Sequence, residues 1–106
     1  MSKDYEEFME KSIAKSADLV NKEMQVSIDI SMYPNKEDFI PPIKGFINKI
    51  NTYKNLKITT FPTSTVVQGE YEYAMNSVKE TISACHKEFN NAVYVIKVIP
   101  DYKALD

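Results

Sequence analysis

Met24-Gln25-Val26-Ser27-Ile28-Asp29-Ile30-Ser31-Met32-Tyr33 decides the fold, because apolar and polar residues alternate through it with a period of two. Side chains on a strand point to opposite faces in turn, so Val26, Ile28, Ile30 and Met32 form one apolar face and Ser27, Asp29, Ser31 and Tyr33 form the other. Pro34 and Asn35 break the run, and Lys36-Glu37-Asp38 supplies turn residues with negative charge suited to a helix start. Beyond them Phe39, Ile43, Phe46, Ile47 and Ile50 recur at helical spacing. Pro41 and Pro42 fit only the first turn of that helix, where backbone N–H groups have no intrahelical acceptor. Upstream, Tyr5, Phe8, Met9, Ile13, Ala17 and Val20 fall at three- and four-residue steps between Asp4 and Asn21, which predicts an amphipathic N-terminal helix.

The second half repeats the pattern. Asn51 to Asn55 is a polar connection, and Leu56, Ile58, Thr59 and Thr60 predict a strand ended by Pro62. Ser64-Thr65-Val66-Val67-Gln68-Gly69-Glu70 predicts another, with Gly69 marking a bulge or a close backbone approach. From Tyr73 to Phe89, Met75, Val78, Ile82, Cys85 and Phe89 trace a helix that Asn90-Asn91 stops. Ala92-Val93-Tyr94-Val95-Ile96-Lys97-Val98-Ile99 is almost continuously β-forming and reads as a central or well-covered strand.

After the first helix the order is β-α-β-β-α-β, which predicts an α+β, ferredoxin-like sandwich: one four-stranded antiparallel sheet with two helices on one face, plus the extra N-terminal helix. Right-handed crossovers in each half put both helices on the same side. The predicted division is an N-terminal helical extension over 1–22 and the ferredoxin-like domain over 23–106. The uncovered face carries Ser27, Asp29, Ser31, Lys97, Val93 and Val95, a mixture suited to binding a ligand, taking the N-terminal helix or meeting another subunit.

The 106 residues suffice for one core, and a 43% hydrophobic fraction with seven Tyr and five Phe can fill it without disulfides. Thirteen basic against fifteen acidic residues leave a net charge of -2, which offers no general attraction to nucleic acid or an anionic membrane. The sequence has a single cysteine, no apolar run long enough to span a bilayer and no signal-peptide pattern, so a cytoplasmic protein without membrane insertion is expected.

Conventional catalytic constellations are missing. Cys85 and His86 are neighbours on a helix and point about 100° apart, a poor arrangement for a nucleophile and its base. No second His or Cys offers metal-ligand spacing, and neither glycine belongs to a phosphate-binding loop. No catalytic residue, metal site or cofactor is therefore expected. Small hydroxyl residues do concentrate near the strand ends: Ser31, then Thr59, Thr60, Thr63, Ser64 and Thr65, with Glu70 close by. Hydroxyls both donate and accept, so such a cluster suits the amino group and ring nitrogens of a heterocycle. The same residue types are also ordinary in strands and turns.

Three stretches, Ile28-Asp29-Ile30-Ser31-Met32-Tyr33-Pro34, Asp38-Phe39-Ile40-Pro41-Pro42-Ile43 and Pro62-Thr63-Ser64-Thr65-Val66-Val67-Gln68-Gly69-Glu70, resemble the YkoF-like thiamine-binding family in order and spacing. The likeness runs from about Met24 to Pro100 and leaves the N-terminal segment outside it. The resemblance implies non-catalytic binding of thiamine or its hydroxymethylpyrimidine moiety, for carriage, salvage or sensing. It also implies a homo-oligomer, dimer or tetramer, assembled through open sheet faces. Ser31, Tyr33, Ser64, Thr65, Val67 and Glu70 are the matching positions and inherit the ligand-binding expectation. Within it, Ser64 and Thr65 would hydrogen-bond the aminopyrimidine and Val67 would pack on its face. Glu70 would meet a ring substituent or the thiazolium charge, or else start the following helix. The competing expectations are a structural or regulatory interaction module that binds no vitamin, and a small ferredoxin-like enzyme using His86.

Overall fold

The structure, a computed structural model, describes residues 24–35 and 37–106. The predicted helix and extension over 1–22 lie outside the described residues. Chain order gives β1 (Gln25–Pro34), α1 (Ile40–Ile50), β2 (Lys57–Thr60), β3 (Thr65–Glu70), α2 (Tyr71–Phe89) and β4 (Ala92–Pro100). The strands form one antiparallel sheet in the order β2-β3-β1-β4, the ferredoxin-like topology.

Because β1 is paired on both sides, its alternation sets the composition of both faces. Ile28 lies opposite Val67 and Val98, and Ile30 opposite Thr65 and Ile96, on the side the helices cover. Val26, Ile28, Ile30 and Val67 pack there with Phe46 and Ile50 of α1 and with Ala74, Val78 and Cys85 of α2. Ser77 and Thr81 are buried on the same stripe of α2 and turn their hydroxyls back to the carbonyls of Tyr73 and Ser77, both at 2.7 Å. That back-bonding satisfies two polar groups inside an apolar layer.

Both glycines are close approaches. A Cβ on Gly69 would lie 2.5 Å from Leu56 Cδ2, and one on Gly45 would overlap the Phe89 ring where α1 meets α2. Gly69 keeps regular pairing with Val26, so of the two roles expected for it the structure shows the approach and no bulge. Asn90 ends α2 with φ at 66°, a conformation Asn tolerates better than most residues.

Two expectations are corrected. Phe39 was placed on the apolar stripe of the helix that follows Pro34; it is instead the exposed N-cap of α1, and Pro42 takes the buried place in the first turn. The Ala92–Ile99 run is not a central or well-covered strand. It pairs with β1 alone, and Val93 and Val95 are 63% and 48% exposed. The right-handed β3-α2-β4 crossover carries β4 past β1 to the sheet edge, so its apolar residues on both faces do not report burial. Lys97 is the charged residue that interrupts this edge.

Tyr94 of β4 turns towards the helices, with its ring centroid 5.9 Å from that of Phe46. Its hydroxyl is buried and has no hydrogen-bond partner among the described residues. Burial, with a smaller contribution from Cys85, pushes its pKa up to about 12. An unfolded tyrosine ionises near pH 10, so the stability tied to neutral Tyr94 is intact below that pH and is lost as pH rises from about 10 towards 12. Tyr94→Phe removes an unsatisfied donor. Urea unfolding at pH 7 is expected to show unchanged stability or a gain of up to about 1 kcal/mol, with a shallower loss above pH 10. A loss greater than about 1 kcal/mol would mean that the hydroxyl has a partner.

Candidate functional site: a hydroxyl-rimmed cleft

The β2-β3 hairpin folds against the first turns of α1 and leaves a cleft between them. Ile30, Met32, Ile43, Phe46 and Ile47 make its apolar walls, and Thr60, Phe61, Pro62, Thr63, Ser64 and Thr65 make its rim. The hairpin holds this shape through local bonds. Phe61 N–H donates to the Ser64 carbonyl at 2.7 Å, and the Thr60 and Thr65 hydroxyls lie 3.2 Å apart. Ser31, from the other face of β1, donates to the Thr63 carbonyl at 3.1 Å and ties the hairpin to the sheet centre.

The cavity is about 100 Å³ and open to solvent. An engineered apolar cavity of roughly 150 Å³ encloses benzene, so this smaller space encloses only part of a six-membered ring, the remainder lying in its open mouth, and cannot swallow a two-ring ligand. Among the described residues none that lines it is ionisable. A buried formal charge would find no counter-ion there, whereas a neutral heteroaromatic ring would find apolar walls for its faces and four hydroxyls for its edge.

The structure divides the residues the sequence put forward. Ser64 and Thr65 line the cleft, and Thr65 is buried. Ser31 supports the rim from the opposite face. Tyr33 is 59% exposed on the uncovered face, opposite Val93, and does not line the cleft. Val67 is fully buried in the core between Ile28 and Ile58 and presents no surface to a ligand. Glu70 ends β3, five residues beyond Thr65 and roughly 17 Å along an extended strand. Its Oε2 accepts the Tyr73 backbone N–H at 2.9 Å, so Glu70 is the N-cap of α2.

Sequence reading did not assign Ile43, Ile47, Met32, Phe61 and Pro62 to the site. Ile43 and Ile47 were visible only as a helix stripe, because apolar residues that line a cleft share the periodicity of those that fill a core. Phe61 is exposed beside three hydroxyl residues in a short hairpin, and that exposure cannot be read from a sequence.

Cys85 is buried, and desolvation pushes its thiol pKa up, so little thiolate is present at neutral pH. His86 is exposed on α2 and does not line the cleft. Among the described residues no group of His, Cys, Asp and Glu side chains is placed to hold a metal ion, and no helix is long and apolar enough to cross a membrane.

Sheet order, helix placement and the hairpin cleft together define a ferredoxin-like α+β domain with a small neutral pocket. A solved structure from Thermotoga maritima, provisionally described as a thiamine biosynthesis/salvage protein, is similar at 29% identity with a TM-score of 0.66, over 76% of this chain and 85% of its own. A Streptococcus pneumoniae protein is similar at 25% identity with the same TM-score, over 71% and 84% of the two chains. A Methanocaldococcus jannascii protein at 21% identity and TM-score 0.64, over 77% and 84%, shares the fold. The sequence matches no family model and no curated protein.

The division of roles is testable at Glu70. Glu70→Ala is expected to lower stability by about 0.5–2 kcal/mol through loss of the cap, measured by urea unfolding. Amide chemical shifts at Thr60–Thr65 should stay in place, since the cleft lies at the other end of β3.

Proposed function

We propose that the chain is a YkoF-like protein that binds thiamine, or its hydroxymethylpyrimidine moiety, without transforming it. The observation that carries this reading is the small apolar-walled cleft, with no ionisable group among its described lining residues, rimmed by Thr60, Thr63, Ser64 and Thr65. An aminopyrimidine is a flat, uncharged ring whose edge alternates donors and acceptors, the pattern that hydroxyls can match in either direction. Its faces would lie against Ile43, Ile47 and Met32. The thiazolium of whole thiamine carries a positive charge, so it would sit outside the cleft in solvent. Similarity to the Thermotoga maritima protein supports the same ligand class.

Carriage, salvage or sensing fits this reading better than catalysis, because among the described residues no titratable group lines the cleft. Assembly into a homo-oligomer through the uncovered sheet face belongs to the same proposal. Tyr33, Val93 and Val95 expose apolar surface there, and such surface favours a second copy over water. The same exposed strip supports a second reading, an interaction module that binds no vitamin.

Calorimetric titration separates the two. Heat on adding thiamine and hydroxymethylpyrimidine is expected, with the pyrimidine alone retaining most of the affinity. Thr65→Val keeps the side-chain shape and leaves Thr60, which is exposed, free to bond water. It should weaken binding by roughly 1 kcal/mol, about fivefold, with an unchanged unfolding midpoint. Absence of heat at millimolar ligand would sink the vitamin-binding proposal, and unaltered affinity in Thr65→Val would reject the hydroxyl role.

A further inference from the structure

Beyond β4 the chain turns back across the uncovered sheet face. Asp101, at φ 55°, donates its N–H to the Gln25 carbonyl at 2.8 Å and redirects the backbone. Ser27 then donates to the Tyr102 carbonyl at 2.7 Å and accepts from the Ala104 N–H at 2.8 Å. Leu105 N–H reaches the Gln68 side-chain carbonyl at 2.7 Å. This strap buries two polar side chains on a face that would otherwise be open, leaving Gln68 only 4% exposed.

The strap also creates a second cavity, of about 430 Å³, between itself and the β2-β3 edge. Lys57 of β2 and Lys103 of the strap both line it, with Gln25, Asn55, Leu56, Gln68 and Gly69. Among the described residues no carboxylate lines it; Glu70 caps α2, and Asp101 and Asp106 are not lining groups. Gln68 has its carbonyl committed to Leu105, and its amide NH₂ has no partner among the described residues. A nearly buried amide with unused donors, in a cavity that two lysines also line, accepts an electron-rich ligand and repels a cation.

We propose that this cavity binds the phosphate group of a small phosphorylated compound, through Lys57, Lys103 and Gln68. Lysines act as compact point charges towards phosphate, and amide donors supply direction. The site goes beyond the pyrimidine cleft and shares no lining residue with it; their nearest lining residues, Lys57 and Thr60 on β2, lie three positions or roughly 10 Å apart along the strand. Because Lys103 belongs to the strap and Lys57 to β2, a bound anion bridges them and holds the strap down.

The test is an NMR titration of the whole chain with inorganic phosphate, against sodium chloride at matched ionic strength. Saturable shifts are expected at Lys57, Gln68 and Lys103, with slower hydrogen exchange at Ala104 and Leu105. A Lys57→Gln/Lys103→Gln double variant should raise the phosphate Kd by about tenfold or more while keeping its unfolding midpoint in phosphate-free buffer. A linear response equalled by chloride overturns the proposal, as does saturation that survives in the double variant. Neither outcome depends on whether hydroxymethylpyrimidine binds, because that ligand is read out at Thr60–Thr65.

Discussion

Pairing of β1 with strands on both sides is the constraint on which the rest of the molecule depends. Its register against β3 sets Ile28 beside Val67 and Ile30 beside Thr65, and against β4 it sets Asp29 beside Lys97 and Ser31 beside Val95. Slipping either pair by one residue would carry the apolar set of β1 to the uncovered face and bury Ser27, Asp29 and Ser31 under the helices. The same register brings the β2-β3 hairpin level with Ile30 and Met32 beneath the start of α1. The cleft is a consequence of that alignment, and so is the row Lys57, Gln68, Ser27 to which the strap is fastened.

The fold was legible because local signals agreed with one another. Alternation in β1, the proline pair at the start of α1, the three-and-four spacing from Met75 to Phe89 and the Asn90-Asn91 stop each point to the element found there. Where the reading failed, the missing information was non-local. A continuous β-branched run describes a strand apolar on both faces, and only the crossover geometry reveals that β4 lies at an edge. The strap escaped notice for a related reason: Ser27 and Gln68 look like ordinary polar positions until backbone groups more than thirty residues away are brought to them.

The candidate site was legible in part. Ser64 and Thr65 follow from the hydroxyl cluster, and the structure adds Thr60 and Thr63 from that same cluster as lining groups. Val67 and Glu70 belong to the same sequence motif, but alternation and distance along β3 send one into the core and the other to the start of α2. A motif in a strand therefore mixes residues of three roles, and only the face and the position along the strand separate them. The two cavities differ in chemistry accordingly, one neutral and apolar-walled, the other lined by lysines and amides.

The central claim is that a neutral pyrimidine ring lodges between α1 and the β2-β3 hairpin. Methyl and amide NMR of the chain during addition of hydroxymethylpyrimidine tests it most directly. The account predicts saturable shifts at Ile43, Ile47, Met32 and Thr60–Thr65, with Tyr33, Val93 and Glu70 unmoved. Shifts centred on the uncovered face, or none anywhere at saturating ligand, would contradict it.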